Sequence, residues 1–256
     1  MAGKAGKIVD IVLILIVNLL VGGCVGLTGI AGFLLPMFYT GFLGMPSVQA
    51  LALSFAAFLI SGVFGSVNYY RSKNLDIRTA MIMSAGSIAG AVAGVRINLL
   101  IPEDTMKVIL YAVVLISGVS ILLRREKADS RKKVQKRNPA VFVLLGFVTG
   151  AVCAASGAGG PILVMPLLTL LGFPAHTSVG MSLFNSIFIA LPAMAGYFYN
   201  AAFERDMLIL LPFILIAHAV GVIAGSKNAV RINQTILKRI VAVASICIAC
   251  IKLFPV

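Results

Sequence analysis

Two clusters of glycine give this chain a way to do chemistry without any charged side chain. The first comprises Gly26, Gly29 and Gly32, followed by Pro36; the second comprises Gly157, Gly159 and Gly160, followed by Pro161 and Pro166. Glycine is about 1 kcal/mol worse than alanine inside a helix and reaches positive φ freely, so such clusters break helices. Where a helix restarts after a break, its first N–H groups are unpaired and lie at the positive end of the helix dipole. Two such restarts brought together would hold a small anion with several oxygens, with no buried cation required. Hydroxyls and an amide close in sequence add donors, so the candidate substrate site is Thr28, Gly29, Gly32, Ser54, Ser156, Gly157, Gly159, Gly160, Ser182 and Asn185. For each hydroxyl the competing use is a bond to the carbonyl one turn earlier in its own helix.

The other reactive groups are sparse. His176 and His218 are the only histidines, and either could carry a coupling proton; His176, just after the second cluster, is the candidate proton carrier. A hydrogen-bonded structural histidine is the alternative for both. No acidic residue lies deep in an apolar run: Asp10 is near an edge, and Glu204 and Asp206 fall at a loop. Cation transporters usually bury carboxylates, so the pattern points away from a cation substrate. Cys24, Cys153, Cys247 and Cys250 all sit in apolar stretches without a nearby His or acid, and they read as small core residues. No metal or cofactor is expected.

The elements that must position these residues are membrane spans. The chain is 60% hydrophobic and 11% charged, with a mean hydropathy of +1.06, where soluble domains carry roughly a quarter charged residues. It is therefore an all-α polytopic protein of the cell (plasma) membrane. Apolar stretches run over about 8–44, 45–70, 79–101, 106–123, 140–173, 175–203, 207–226 and 236–256. The first and fifth are long enough for two half-helices each, with the glycines near their middles. Lys4 and Lys7, the apolar run after them and Cys24 resemble a signal peptide, but the apolar run continues past the cysteine, so an uncleaved segment is expected.

An internal repeat is visible when the chain is slid against itself by roughly half its length. One offset brings Pro36 onto Pro166 and Gly29 onto Gly159. A slightly shorter one brings Leu43, Gly44, Pro46, Ser54 and Tyr69 onto Leu171, Gly172, Pro174, Ser182 and Tyr197. A slightly longer one brings Gly90, Gly94 and Arg96 onto Gly221, Gly225 and Lys227, and these two glycine pairs read as helix-packing surfaces. The drift is what small loop insertions produce. Each repeat is then one long broken segment followed by three helices. The division is a first transmembrane repeat over 1–123, a linker over 124–138 and a second repeat over 139–256. If the broken segments cross once, the repeats run parallel and both ends are cytoplasmic. If they are re-entrant hairpins, the repeats are inverted and both ends are outside. The positive-inside count is the same for both, and segment length favours the inverted arrangement.

The formal charge of +13 does not indicate nucleic acid, because eight of the 21 basic residues are Arg124, Arg125, Lys127, Arg131, Lys132, Lys133, Lys136 and Arg137 in one loop between spans. Such loops mark the cytoplasmic face and can touch anionic lipid headgroups.

At these residues the chain resembles the TauE/SafE family, the sulfite and organosulfonate exporters also called the 4-toluene sulfonate uptake permease family. The family motif is a glycine-rich break, apolar residues and a proline, then Leu-Gly and a short serine-bearing helix, once per repeat. The second copy fits through Gly157, Gly159, Gly160, Pro166, Leu171, Gly172 and Ser182. The first keeps Gly26, Gly29, Gly32 and Pro36 but has Ile30 and Ala31 where glycines are usual. The resemblance implies a transporter of small sulfur-containing anions such as sulfite, thiosulfate or an organosulfonate. Its expected partners are that anion and membrane lipids, with a homodimer left open and no nucleic acid. The alternatives are a membrane-embedded enzyme or a non-transporting accessory protein. The first would need a buried nucleophile and base, paired carboxylates or metal ligands, and no such motif is present.

Overall fold

In the computed structural model the described residues are 2–29, 31–123, 138–203 and 205–229, with isolated positions 242, 243, 246, 247 and 250 of the last segment. The helices are α1 (Ala2–Thr28), α2 (Leu34–Gly41, entered through a 3-10 turn at Ala31–Phe33), α3 (Ser47–Arg71), α4 (Ile77–Leu100) and α5 (Glu103–Leu123) in the first half. The second half contributes α6 (Pro139–Ser156), α7 (Gly160–Leu170), α8 (Ala175–Asn200) and α9 (Arg205–Asn228). Ile30, the basic residues of 124–137, Glu204 and most of the expected eighth segment lie outside the described residues.

Among the described residues six helices are long and apolar enough to span a membrane: α3, α4, α6, α8, the Asp10–Thr28 part of α1 and the Met207–Asn228 part of α9. The protein is thus an all-α, multi-pass protein of the cell membrane. Apolar side chains such as Ile11, Val12, Ile16 and Leu20 of α1, and Ile209, Phe213, Ile216 and Val220 of α9, remain exposed on the outside of the bundle, as a lipid-facing surface requires.

Both long segments break as expected, but not into equal halves. The first arms are of spanning length, 19 residues in α1 and 18 in α6, and only the second arms are short, eight residues in α2 and 11 in α7. The reason is that the glycines of the first cluster have different uses. Gly26 stays helical, because α9 lies so close that a Cβ there would fall on the carbonyl of Val222. The break comes at Gly29 (φ +70°), and in the second half at Gly157 (φ +72°). Each N–H closes the last turn behind it, Gly29 onto Val25 O at 2.7 Å and Gly157 onto Cys153 O at 2.9 Å. By conformation, then, Gly29 corresponds to Gly157 and not to Gly159, in the register that also pairs Tyr69 with Tyr197.

Close helix pairs fix the directions. A Cβ on Gly86, Gly90 or Gly94 of α4 would strike the carbonyls of Val143, Phe147 or Ala151 of α6. The residue numbers rise together, so α4 and α6 run parallel. On α1 and α9, Gly22 lies against the His218 carbonyl and Gly26 against that of Val222, while Gly221 and Gly225 of α9 lie against those of Leu19 and Gly23. That pair is parallel as well. By contrast Gly62 and Gly65 of α3 meet Ser186 and Leu183 of α8, so the central pair is antiparallel. Ser61 and Asn68 of α3 bond to His218 and Ser226 of α9, while Ser84 and Ser87 of α4 bond to Asn185 of α8 and Gly196 of α8 lies against Val95 of α4, so both of these pairs are parallel. Consequently α1, α3 and α9 point one way and α4, α6 and α8 the other.

The seams are backbone against backbone, the approach that small residues permit in membranes. Gly90→Ala is expected to force α4 off the Phe147 carbonyl and destabilise the protein by about 1–3 kcal/mol. Thermal unfolding in detergent checks this, and a melting temperature equal to that of the wild type would show that the seam has slack.

Candidate functional site

α1 and α2 form one hairpin, and α6 and α7 the other. The first is clamped by Asn18 Nδ2, which donates to Tyr39 Oη at 2.8 Å. In the second, Ser156 Oγ donates to Val152 O at 2.7 Å and accepts from the Ala158 N–H at 3.3 Å, which turns the chain into the break. The tips pass one another. Gly29 rests against Val179 of α8 and Pro161 of α7, while Gly157 rests against Leu51 of α3 and Pro36 of α2.

Helix ends inside apolar surroundings must place their last carbonyls somewhere. Here the first arms are provided for. Tyr69 Oη of α3 donates to Gly26 O at 3.4 Å and Leu27 O at 3.3 Å. Tyr197 Oη of α8 donates to Ala154 O at 2.7 Å, and Asn98 Nδ2 of α4 donates to Ala155 O at 2.6 Å. The restarting arm is different. α7 is preceded by Gly159 at φ +79°, which has no side chain to cap it. The amides of Gly160 and Ile162 therefore begin α7 with no acceptor inside it.

Between the tips lies a cavity of about 10 Å³, walled by Gly29, Gly32, Phe58, Ser61, Gly159 and Ser186 with Val25, Ala158, Pro161 and Ile162. That is space for roughly one water molecule. Phe58 is the wedge in its wall: a Cβ on Gly32 would come within 2.9 Å of its ring, and one on Gly159 within 3.4 Å. Phe55 meets Phe58 edge-on at 5.4 Å and stacks on Tyr197 at 5.7 Å, so the residue holding the Ala154 carbonyl also braces the wedge. Two hydroxyls line the wall. Ser186 Oγ donates to Leu183 O at 2.7 Å, and Ser61 Oγ lies 2.6 Å from His218 Nε2.

Of the residues singled out in the sequence, Gly29, Gly32 and Gly159 line this cavity. Gly160 packs on Ser186 beside it, and Ser182 Oγ is 3.6 Å from where a Gly29 Cβ would be. Gly157 forms the tip above it, and Ser156 lines a second cavity of about 10 Å³ with Pro36, Leu51 and Asn98. The hydroxyls of Thr28, Ser54, Ser156 and Ser182 each bond to a carbonyl of their own helix at 2.7–2.9 Å, the local solution an apolar setting favours. Ser54 is outside both walls. Asn185 faces α4 instead, accepting from Ser84 at 3.1 Å and Ser87 at 2.8 Å, with its buried Nδ2 unpartnered. His176 is half-buried in the first turn of α8 and is not in the wall.

Phe58, Ser61 and Ser186 were missed by sequence reasoning. The signal was one helical turn away: Phe58 follows Ser54, and Ser186 follows Ser182, at the i, i+4 spacing that shares a face. The wall has glycine backbone and no charged side chain, and with the Ser186 hydrogen given to Leu183 O, the unpaired groups left to a small acceptor-rich ligand are the backbone amides at the start of α7.

The sulfite exporter TauE/SafE family model matches residues 12–251. Among curated proteins, a probable membrane transporter protein of Bacillus subtilis, YdhB, is 24% identical over 88% of this chain and 93% of its own length. A second from the same organism, YjnA, is 25% identical over 90% and 94%. A probable membrane transporter protein of Methanocaldococcus jannaschii is 25% identical over 88% and 86%. No solved structure matches the chain. The chain belongs to the sulfite exporter TauE/SafE family, and these relatives are described as probable membrane transporter proteins.

The tip contacts can be tested by substitution. Gly157→Ala must place a Cβ on Leu51 Cδ2 and hold positive φ, so it is expected to destabilise by about 2 kcal/mol or more. Leu51→Ala in the same chain should relieve the crowding but not the backbone strain. A double-mutant cycle of thermal melts checks this, and full recovery would mean that φ at Gly157 carries no cost.

Proposed function

We propose that this family member transports small sulfur-containing anions (sulfite, thiosulfate or an organosulfonate), held where the two hairpins cross by backbone amides of the helix breaks. The observation that carries this reading is the cavity between the tips. Carbonyls at the ends of α1 and α6 have partners from α3, α4 and α8, whereas the start of α7, where helix amides lack an acceptor, contributes Pro161 and Ile162 to a wall of glycine and serine. A site that keeps donors and uses up acceptors favours an anion.

The proposed architecture is an inverted repeat of residues 1–123 and 139–256, joined by the basic linker 124–138, each half opening with a re-entrant hairpin. It is supported by direction: α1 and α3 start from one end of the bundle, α6 and α8 from the other. Recurrent bonds support it as well. Thr28 and Ser156 bond back to Cys24 and Val152, and Tyr69 and Tyr197 reach the carbonyls of Gly26 and Ala154, all in one constant register between the halves. A cavity of about 10 Å³ cannot admit a sulfite, so this conformation corresponds to an occluded state. Alternating access then requires one hairpin to withdraw from Phe58 at a time.

Two measurements test this. Gly159→Leu fills the space beside Phe58 and opposes φ +79°, and it is expected to abolish sulfite binding in titration calorimetry of folded protein, whereas Gly90→Ala should retain it. Retained affinity in folded Gly159→Leu would remove the proposed site. A C-terminal reporter that fluoresces only in the cytoplasm should stay dark, since re-entrant hairpins place both ends outside. A bright signal would favour parallel repeats with single crossings.

A further inference from the structure

The cavity hydroxyl of Ser61 is tied to a titratable group that sequence reasoning ranked behind His176. His218 lies in α9, fully buried. Its Nδ1 is 3.1 Å from the backbone carbonyl oxygen of Asn18 and its Nε2 is 2.6 Å from Ser61 Oγ. A carbonyl oxygen only accepts, so Nδ1 carries the hydrogen, and in the neutral ring Nε2 is left to accept from the Ser61 hydroxyl. The Ser61 hydrogen is then turned away from the cavity that the residue lines. Should Nε2 gain a proton, it becomes a donor to Ser61 Oγ. The Ser61 hydrogen is freed and can donate into the cavity, with a positive charge one bond behind it.

The other half of the molecule makes the comparison. Ser87 of α4 is the counterpart of His218 in the register that pairs Gly90 with Gly221. It bonds to the carbonyl of Gly146 on α6 at 3.1 Å and to Asn185 of α8 at 2.8 Å. Gly146 is in turn the counterpart of Asn18 in the register that pairs Tyr69 with Tyr197. A serine therefore makes the same helix-to-helix bridge with no titratable group. The bridge alone does not require a histidine.

Resting on the anion-transport reading, the geometry points to His218 as the proton carrier: one proton binds Nε2 as one anion binds the cavity, and both leave together, Ser61 passing the change from ring to anion. No covalent bond forms or breaks beyond that N–H. The proton enters from the side to which the cavity opens and is lost to the other side when the anion leaves. The groups facing the imidazole are the Asn18 carbonyl and Gly22 from α1 and Ser61 from α3. Ionisable residues on the packed elements are Lys4, Lys7, Asp10 and Cys24 of α1, the lysines three turns or more from Asn18 along the helix, and Tyr69, Tyr70 and Arg71 of α3. On α9 itself they are Arg205, Asp206 and Lys227, each more than two turns along the helix from His218. Among the described residues none of these bonds to the ring. Tyr39 of α2 reaches Asn18 only through the Asn18 side chain. The anion is thus the counter-charge available to His218.

The test uses thiosulfate, which stays fully ionised from mildly acidic to mildly alkaline buffer. Calorimetric titrations of the purified full chain in buffers of different ionisation enthalpy read the protons taken up per anion bound. The wild type is expected to take up close to one, and because the bound state holds the extra proton, affinity should rise as pH falls, by up to about tenfold per pH unit. His218→Gln and Ser61→Ala should each bind more weakly, with little proton uptake and a flat pH profile. Wild-type binding without proton uptake, or uptake that survives in either folded variant, overturns the inference while leaving the anion site standing. If thiosulfate, sulfite and methanesulfonate all fail to bind wild-type protein at every pH, the anion site fails and this inference with it.

Discussion

A helix broken inside a bilayer frees carbonyl and amide groups that lipid cannot satisfy, each unpaired group costing several kcal/mol. Two such breaks sit inside this protein, and the surrounding helices are placed to answer them. Tyr69 and Tyr197 are the main example. Both are long enough to cross from the α3–α8 pair to the last turn of a first arm, and both are buried to within 3% exposure. The aromatic body fills core volume while the hydroxyl meets a carbonyl, so one side chain meets the packing demand and the polar demand together. Asn98 does the same for Ala155 from α4.

Those side chains reach their targets only if the helices stand very close, and the glycine seams make that so. On α4–α6 and α1–α9 there is no room for a methyl group between backbones, with Gly86, Gly90, Gly94 and Gly146 on one pair and Gly22, Gly26, Gly221 and Gly225 on the other. Each seam joins a helix of one half to the first arm of the other half. In the proposed inverted repeat, every hairpin is therefore gripped from outside by the opposite repeat and from inside by α3 and α8.

Much of this was legible in the sequence because it depends on glycine and on spacing. The positions of the breaks, the packing use of Gly90 and Gly221, and the Tyr69–Tyr197 match needed only composition and an offset. The unequal arms were not legible, since Gly26 and Gly29 look alike in a sequence and differ only in what lies beside them: a carbonyl of α9 for one, the turn itself for the other. Which of its two uses each hydroxyl takes was not legible, for a physical reason. Thr28, Ser54, Ser156 and Ser182 occur on helices in apolar surroundings, where the carbonyl one turn back is always within reach. Ser61 and His218 could not be paired from sequence because they are far apart in the chain and no motif links α3 to α9.

The two hairpins are not equivalent, and the difference has a direction. Gly159, which lets α7 start abruptly with bare amides, has Ala31 as its counterpart in the register that pairs Gly29 with Gly157. An alanine resists φ near +79°, and the first hairpin instead eases into α2 through the 3-10 turn Ala31–Phe33, which uses part of its donors internally. In the proposed site the first hairpin therefore supplies fewer free amides than the second. His218, however, lies on the side of the first hairpin, against α1, with Ser61 carrying its influence into the wall. In the proposed transporter the weaker backbone half-site is the one supplied with a titratable group. Fixed dipoles on one side and a removable charge on the other would let the site hold an anion when protonated and release it when the proton leaves, a change that two identical glycine hairpins could not make.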